Sequence, residues 1–116
     1  MGDATTHMEY KCEVREVFSG DDLIAYIDLG VENLLKRQRI RLHGVDTPSA
    51  INMPRDSEAG KLREYIRSLC RGKKGTCTVH DRNKNSWVVT LFVEQPDGST
   101  ANVNEYLISQ GYKYER

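Results

Sequence analysis

No stretch of this 116-residue chain approaches the roughly 18 apolar residues that a bilayer-crossing helix needs, so no membrane role is expected. Charge of one sign is also missing. The 17 Lys and Arg residues offset 17 Asp and Glu, which argues against a strongly basic clamp that holds nucleic acid by charge alone. Cysteine is scarce and odd in number. Cys12, Cys70 and Cys77 have no C-x-x-C spacing, so a disulfide framework is not expected and a reducing, cytoplasmic setting is favoured. Cys77 and His80 form C-x-x-H, but an odd separation on a strand sends them to opposite faces, and no second ligand pair exists to complete a zinc site. Repeats and low-complexity segments are absent. Residues 1–8, M-G-D-A-T-T-H-M, lack the basic start and apolar core of a signal peptide and read as an expression tag, leaving 9–116 as a single domain.

What remains is patterned. Tyr10 to Phe18 alternates apolar and polar residues, as a half-buried strand does. Ser19-Gly20-Asp21-Asp22 reads as a turn into a second strand, Leu23 to Ile27, and a loop from Gly30 leads to a third over Arg37 to Val45. Asp56 or Ser57 then caps a helix whose apolar positions Ala59, Leu62, Ile66 and Leu69 or Cys70 keep helical spacing up to Gly72. Thr76 to His80 and Trp87 to Val93 are further strands, joined by Asp81 to Ser86. After the turn Pro96-Asp97-Gly98, Asn102 or Asn104 precedes a short helix that Gly111 stops. The order βββ-α-ββ-α contains too few βαβ units for a parallel sheet. It predicts a five-stranded OB-type barrel, mainly β, carrying two to three helices.

The charges are unevenly spread. Lys36, Arg37, Arg39 and Arg41 fall in one stretch, and Lys73, Lys74, Arg82 and Lys84 in another, whereas Asp21, Asp22 and Asp28 gather early. Such runs form solvated faces or phosphate-contacting ones. Asp21 and Asp22 in the first turn and Asp46 after the third strand converge if strands one and three come together, offering hard oxygen ligands to a divalent cation. Turn aspartates also serve simply as turn formers. Arg41 and Asp46, five residues apart, share a site only if the strand bends or ends before Asp46.

Four stretches occur in a telling order: Ser19-Gly20-Asp21-Asp22-Leu23, then Ile40-Arg41-Leu42-His43-Gly44-Val45-Asp46-Thr47-Pro48, then Glu58-Ala59 opening a helix, then Asn102-Val103-Asn104-Glu105-Tyr106-Leu107-Ile108 running to Gly111. Together they resemble the staphylococcal nuclease family, whose motifs read D-G-D-T, R-L-x-G-[IV]-D-T-P-E, E-A, D-x-Y-G-R and V-N-x-x-L-[IV]-x-x-G. The resemblance implies an OB barrel and Ca²⁺-dependent cleavage of DNA and RNA. It assigns Asp21 and Asp46 as metal ligands, Thr47 as a metal ligand through its backbone carbonyl, and Arg41 as a phosphate-binding arginine. The pattern departs in the first motif, where Ser19 stands at the first acidic position of D-G-D-T and Asp22 replaces its threonine, and at two catalytic positions. Ser49 stands where the family has the glutamate that activates water, and Asn85, or Ser86 in a shifted alignment, stands where the second arginine belongs.

A general base contributes about 10² to 10⁴ in rate and a group that stabilises transition-state charge about 10² to 10³, so losing both predicts a defect of several orders of magnitude. Serine is no base at neutral pH without a partner to activate it. With so few carboxylates, any Ca²⁺ would be held weakly. The expected function is therefore a degenerate nuclease domain that binds single-stranded DNA or RNA, or a protein partner. Arg37, Arg39, Lys73, Lys74, Arg82 and Lys84 are the expected phosphate contacts, and Tyr106, Tyr112 and Tyr114 the candidate base-stacking residues, with Trp87, which precedes Val88-Val89, read as a core residue ahead of a stacking one. The alternative is a divergent Ca²⁺-dependent phosphodiesterase that uses rearranged side chains.

Overall fold

A computed structural model describes residues 8–32 and 34–114. Residues 1–7, most of the tag-like segment, lie outside the described residues, whereas Met8 already belongs to the first strand and pairs with Val79. In chain order the elements are β1 (Met8–Ser19), β2 (Asp22–Asp28), β3 (Leu35–Leu42), α1 (Glu58–Cys70), β4 (Lys74–Arg82), β5 (Trp87–Glu94), β6 (Thr100–Asn102) and α2 (Val103–Ser109).

The strands lie in the order β3-β2-β1-β4-β5, every neighbouring pair antiparallel, and a parallel pairing of Ile40, Arg41 and Leu42 with Trp87, Val88 and Val89 joins β5 back to β3. That last pairing closes the sheet. The result is a five-stranded mixed barrel with two helices, an OB-like architecture as the element order predicts. Alternation of side chains fills its interior: Val14, Leu23, Ala25, Ile27, Ile40, Cys77, Leu91 and Val93 are all fully buried. On β4 the same alternation buries Cys77 and leaves His80 half-buried on the other side.

Beyond shifts of one or two residues at other strand ends, two features differ from the sequence reading. β3 ends at Leu42 rather than Val45, because Gly44 adopts φ +75° in a turn whose Val45 N–H reaches back to the Leu42 carbonyl at 3.4 Å. Thr100–Asn102 forms an unforeseen edge strand against Phe92–Glu94, because the Pro96-Asp97-Gly98 turn closes a hairpin in which Gln95 N–H donates to Ser99 O at 2.8 Å.

Helix α1 starts as its sequence directs. Ser57 Oγ accepts the Gly60 N–H at 3.0 Å, Glu58 sits in the first turn, and Ile66 and Cys70 enter the core. Arg67 on its flank reaches β1, meeting Glu16 at 3.3 Å and the Val17 carbonyl at 3.0 Å.

All three cysteines are free and buried. Burial pushes the Cys70 thiol up to about 12, and a hydrogen bond with Cys77 together with burial pushes Cys12 up as well. The thiolate is the reactive form, so these groups stay protonated at neutral pH, while full burial screens Cys77 from reagent. Native protein at pH 8 is expected to leave an aromatic disulfide reagent essentially unreacted, and guanidinium-unfolded protein to give three equivalents; rapid labelling of the native state would contradict this burial.

Candidate functional site

The early end of β3 in the structure is what lets the motif residues meet. Leu42 N–H donates to the Asp21 carbonyl at 3.1 Å, which holds the β1–β2 turn against the end of β3. Around that junction Asp21, Arg41 and Thr47 come together. The Asp21 carboxylate is nearly buried; one oxygen accepts from Thr47 Oγ1 at 2.8 Å and the other from the Arg41 guanidinium at 3.2 Å. Thr47 thus enters through its hydroxyl. Asp46, one residue earlier, is exposed; its backbone N–H donates to Tyr112 O at 2.8 Å, and its carboxylate has no hydrogen-bond or ion-pair partner among the described residues.

Asp22 takes a different direction. Its buried carboxylate receives two hydrogen bonds from Arg39, with Nε at 2.8 Å, and this contact holds the guanidinium above its ordinary pKa. Arg39 also lies over the Phe18 ring at 5.8 Å. It is therefore committed to the barrel wall.

The two catalytic positions at which the family pattern fails lie in different settings. Ser49 is exposed, and its hydroxyl makes only a long 3.5 Å contact from Ile51 N–H within its own loop. Ser19, which stands at the first acidic position of D-G-D-T, is buried and accepts Ala50 N–H at 2.9 Å, tying that loop to the hairpin. Asn85 is exposed in the β4–β5 turn, which Asn83 closes by accepting Ser86 N–H at 3.2 Å; Ser86 itself is buried. Pairing of Val88 with Arg41 sets the start of β5, and with it this turn, beside β3.

The remaining cations are dispersed. Arg82 follows that pattern to the mouth of the barrel, where its guanidinium lies 4.7 Å from the Trp87 ring centroid and donates to Tyr10 Oη at 2.6 Å. Trp87 itself belongs to the core. Lys84 is exposed in the same turn and Arg37 on β3. Lys73 lies elsewhere, its Nζ 3.4 Å from the Leu69 carbonyl at the end of α1. Lys74 pairs in register with Glu13 and lines a cleft with Lys11, Asp28 and Glu94, at the opposite end of β2 from Asp22. The structure does not bring Lys73 and Lys74 to the Asp21 junction.

A resident Ca²⁺ ion does not fit this arrangement. Such an ion takes six to eight oxygens. Both Asp21 oxygens are already engaged, one of them by a guanidinium 3.2 Å away, and among the described residues no three His, Cys, Asp or Glu side chains gather as a ligand set. The His43 ring stacks on His80 with centroids 4.1 Å apart.

Two features escaped the sequence reading. Asn104 is buried and ties α2 to two segments at once, accepting Leu91 N–H at 2.9 Å and donating to Val89 O at 3.0 Å on β5, and donating to His43 O at 2.9 Å after β3. An Asn before a short helix looks like a cap, and only the closed barrel shows that Asn102 is the cap and Asn104 the lock. The second is a cleft between α1 and α2 that Tyr65, Tyr106 and Tyr112 line. Tyr65 lies off the apolar stripe of its helix, so periodicity gave it no role.

No helix among the described residues is long and apolar enough to cross a membrane. No protein-family model matches this chain, and no curated protein matches it.

Proposed function

We propose that this chain is a degenerate domain of the staphylococcal nuclease type, a non-cleaving OB barrel that binds single-stranded nucleic acid without needing a metal. The observation that carries the reading is the mutual pairing of Asp21 with Arg41 and of Asp22 with Arg39. A phosphodiesterase would direct such carboxylates at a metal and such guanidinium groups at phosphate. Here they neutralise one another, and Ser49 supplies no carboxylate to activate water. Metal entry would have to displace Arg41 from Asp21, which makes Ca²⁺ binding weak.

Binding draws on other groups. Arg82, with one guanidinium face on Trp87, and the exposed ammonium and guanidinium groups of Lys84 and Arg37 supply phosphate contacts on neighbouring segments. Guanidinium planes also stack on bases. The zero net charge and the ion pairing of Arg39, Arg41, Arg67 and Arg71 favour a protein partner as the second reading.

The single tryptophan reports the test, because Arg82 lies directly on it. Titrating the protein with a single-stranded oligonucleotide in EDTA is expected to change Trp87 emission saturably. For three phosphate contacts the slope of log K against log salt is about −2. Arg82→Glu with Lys84→Glu is expected to abolish the change. A signal that appears only with added Ca²⁺, or none at any salt concentration, would overturn the reading.

A further inference from the structure

We propose that the tyrosine-lined cleft between α1 and α2 is a nucleobase subsite, taking an unpaired base of a bound single strand. The inference rests on the single-strand binding reading above and assigns it a specific contact.

The cleft has a volume of about 440 Å³ and is bounded by Glu58, Lys61, Leu62 and Tyr65 of α1 and by Tyr106 and Tyr112. Tyr65 and Tyr106 stack with ring centroids 5.2 Å apart at 29°, joining the two helices through one aromatic wall. Both rings belong to residues that keep solvent access, and Tyr65 is 46% exposed. The stack covers the inner ring faces and leaves apolar outer ring surface open to water, chiefly at Tyr65, on which a planar base extends the stack.

The polar groups agree with that occupant. Lys61 lies one helical turn before Tyr65 on the same face of α1, is exposed, and has no ion-pair partner among the described residues. A phosphate on Lys61 leaves the adjoining base within reach of Tyr65. Glu58, which accepts from Tyr112 Oη at 3.1 Å, adds a carboxylate at the rim that accepts from the amino group of a base. The position is continuous with the Asp21 junction. Tyr112 O receives Asp46 N–H at 2.8 Å, and Leu62 packs over Gly20, where even a methyl group would come within 2.9 Å of it.

A proline-rich peptide also uses aromatic grooves, but it seats its rings in slots between parallel ridges. Here Tyr65 and Tyr106 already stack on each other and leave no slot between them, which suits a base laid on an outer ring surface better.

The test compares a fluorescently labelled pyrimidine 12-mer with an abasic 12-mer of the same backbone, measured by anisotropy in EDTA. The native protein is expected to bind the base-containing strand at least about fivefold more tightly, since stacking of one base is worth about 1–3 kcal/mol and each 1.4 kcal/mol is tenfold. Tyr65→Leu with Tyr106→Leu is expected to erase that preference while abasic binding stays unchanged; because Tyr106 packs against the core, Tyr65→Leu alone is the variant expected to weaken the preference at an unchanged melting temperature. Tyr65→Phe, which keeps the ring, is expected to retain it. Equal binding of the two strands by native protein, or a preference that survives in the double leucine variant, overturns the subsite and leaves the single-strand reading standing. Absence of binding to either strand overturns both, as does selective, tyrosine-dependent binding of a proline-rich peptide in their place.

Discussion

Replacing Gly75 by alanine is expected to lower the melting temperature by at least about 12 °C, and at the upper end of the effect to prevent folding. Gly75 sits in β4 between two partners, Cys12 on β1 and Val93 on β5. A Cβ there would lie 1.8 Å from the Phe92 carbonyl oxygen and 3.0 Å from Val93 Cα. The obstacle is backbone, so no side-chain rotation relieves it. β5 must move away from β4, breaking ladder hydrogen bonds and opening the wall that Cys77, Leu91 and Val93 fill. Overpacking alone costs about 1–3 kcal/mol, and separation of a closed barrel adds to that, giving about 3–5 kcal/mol. At about 4 °C per kcal/mol for a domain of this size, the shift follows. Gly98→Ala is the matched control. Unlike Gly75 it has a positive φ, +90°, but nothing lies within 4 Å of the added methyl, so only backbone strain of about 1 kcal/mol is expected. A Gly75→Ala protein that melts within 4 °C of native would show that the strands do not approach as described.

Asn104→Ala is expected to cost about 3 kcal/mol, with Asn104→Asp worse at neutral pH. Alanine leaves Leu91 N–H buried without an acceptor and removes both bonds to the His43 and Val89 carbonyls. The His43–Val89 backbone bond at 2.8 Å persists, so Leu91 N–H carries most of the penalty, about 1–3 kcal/mol for a stranded buried donor. Aspartate keeps the acceptor but turns a carboxylate oxygen toward two carbonyls. Its folded pKa then lies above its unfolded value. The variant is expected to gain stability as pH falls through that folded pKa, against the usual trend of acid destabilisation. Chemical denaturation of the three proteins at pH 7 and pH 4.5 measures both effects. An Asn104→Asp protein equally destabilised at the two pH values would contradict the geometry.

The barrel was legible because its elements announce themselves locally. The alternation of Cys12 and Val14, the Ser57 cap, the turn at Gly98 and the Gly72 stop each act within a few residues. Where the reading slipped, the cause was non-local. Val45 looks like the β-branched end of the strand that Arg39-Ile40-Arg41-Leu42 begins, although it is out of phase with that alternation, and the turn at Gly44 brings it to Lys113 instead, in a bridge far along the chain. The same limit applies to charge. Arg37, Arg39 and Arg41 read as one basic run, and nothing within that run reveals that Asp21 and Asp22 on the neighbouring hairpin take up two of the three. Spacing places Asp21, Arg41 and Thr47 in one motif order, but whether they point at a ligand or at each other is a property of the closed barrel. Tyr65 and Tyr106 are a similar case, since two helices far apart in the chain build one aromatic wall.

The central claim, binding without cleavage, is tested most directly by incubating an end-labelled single-stranded oligonucleotide with excess protein in 10 mM-order Ca²⁺ and resolving the same sample on native and denaturing gels. Retarded migration on the native gel with full-length strand on the denaturing gel is the expected result, unchanged in EDTA. Shortened strand that disappears with EDTA and with Asp46→Ala would contradict it and identify a working phosphodiesterase.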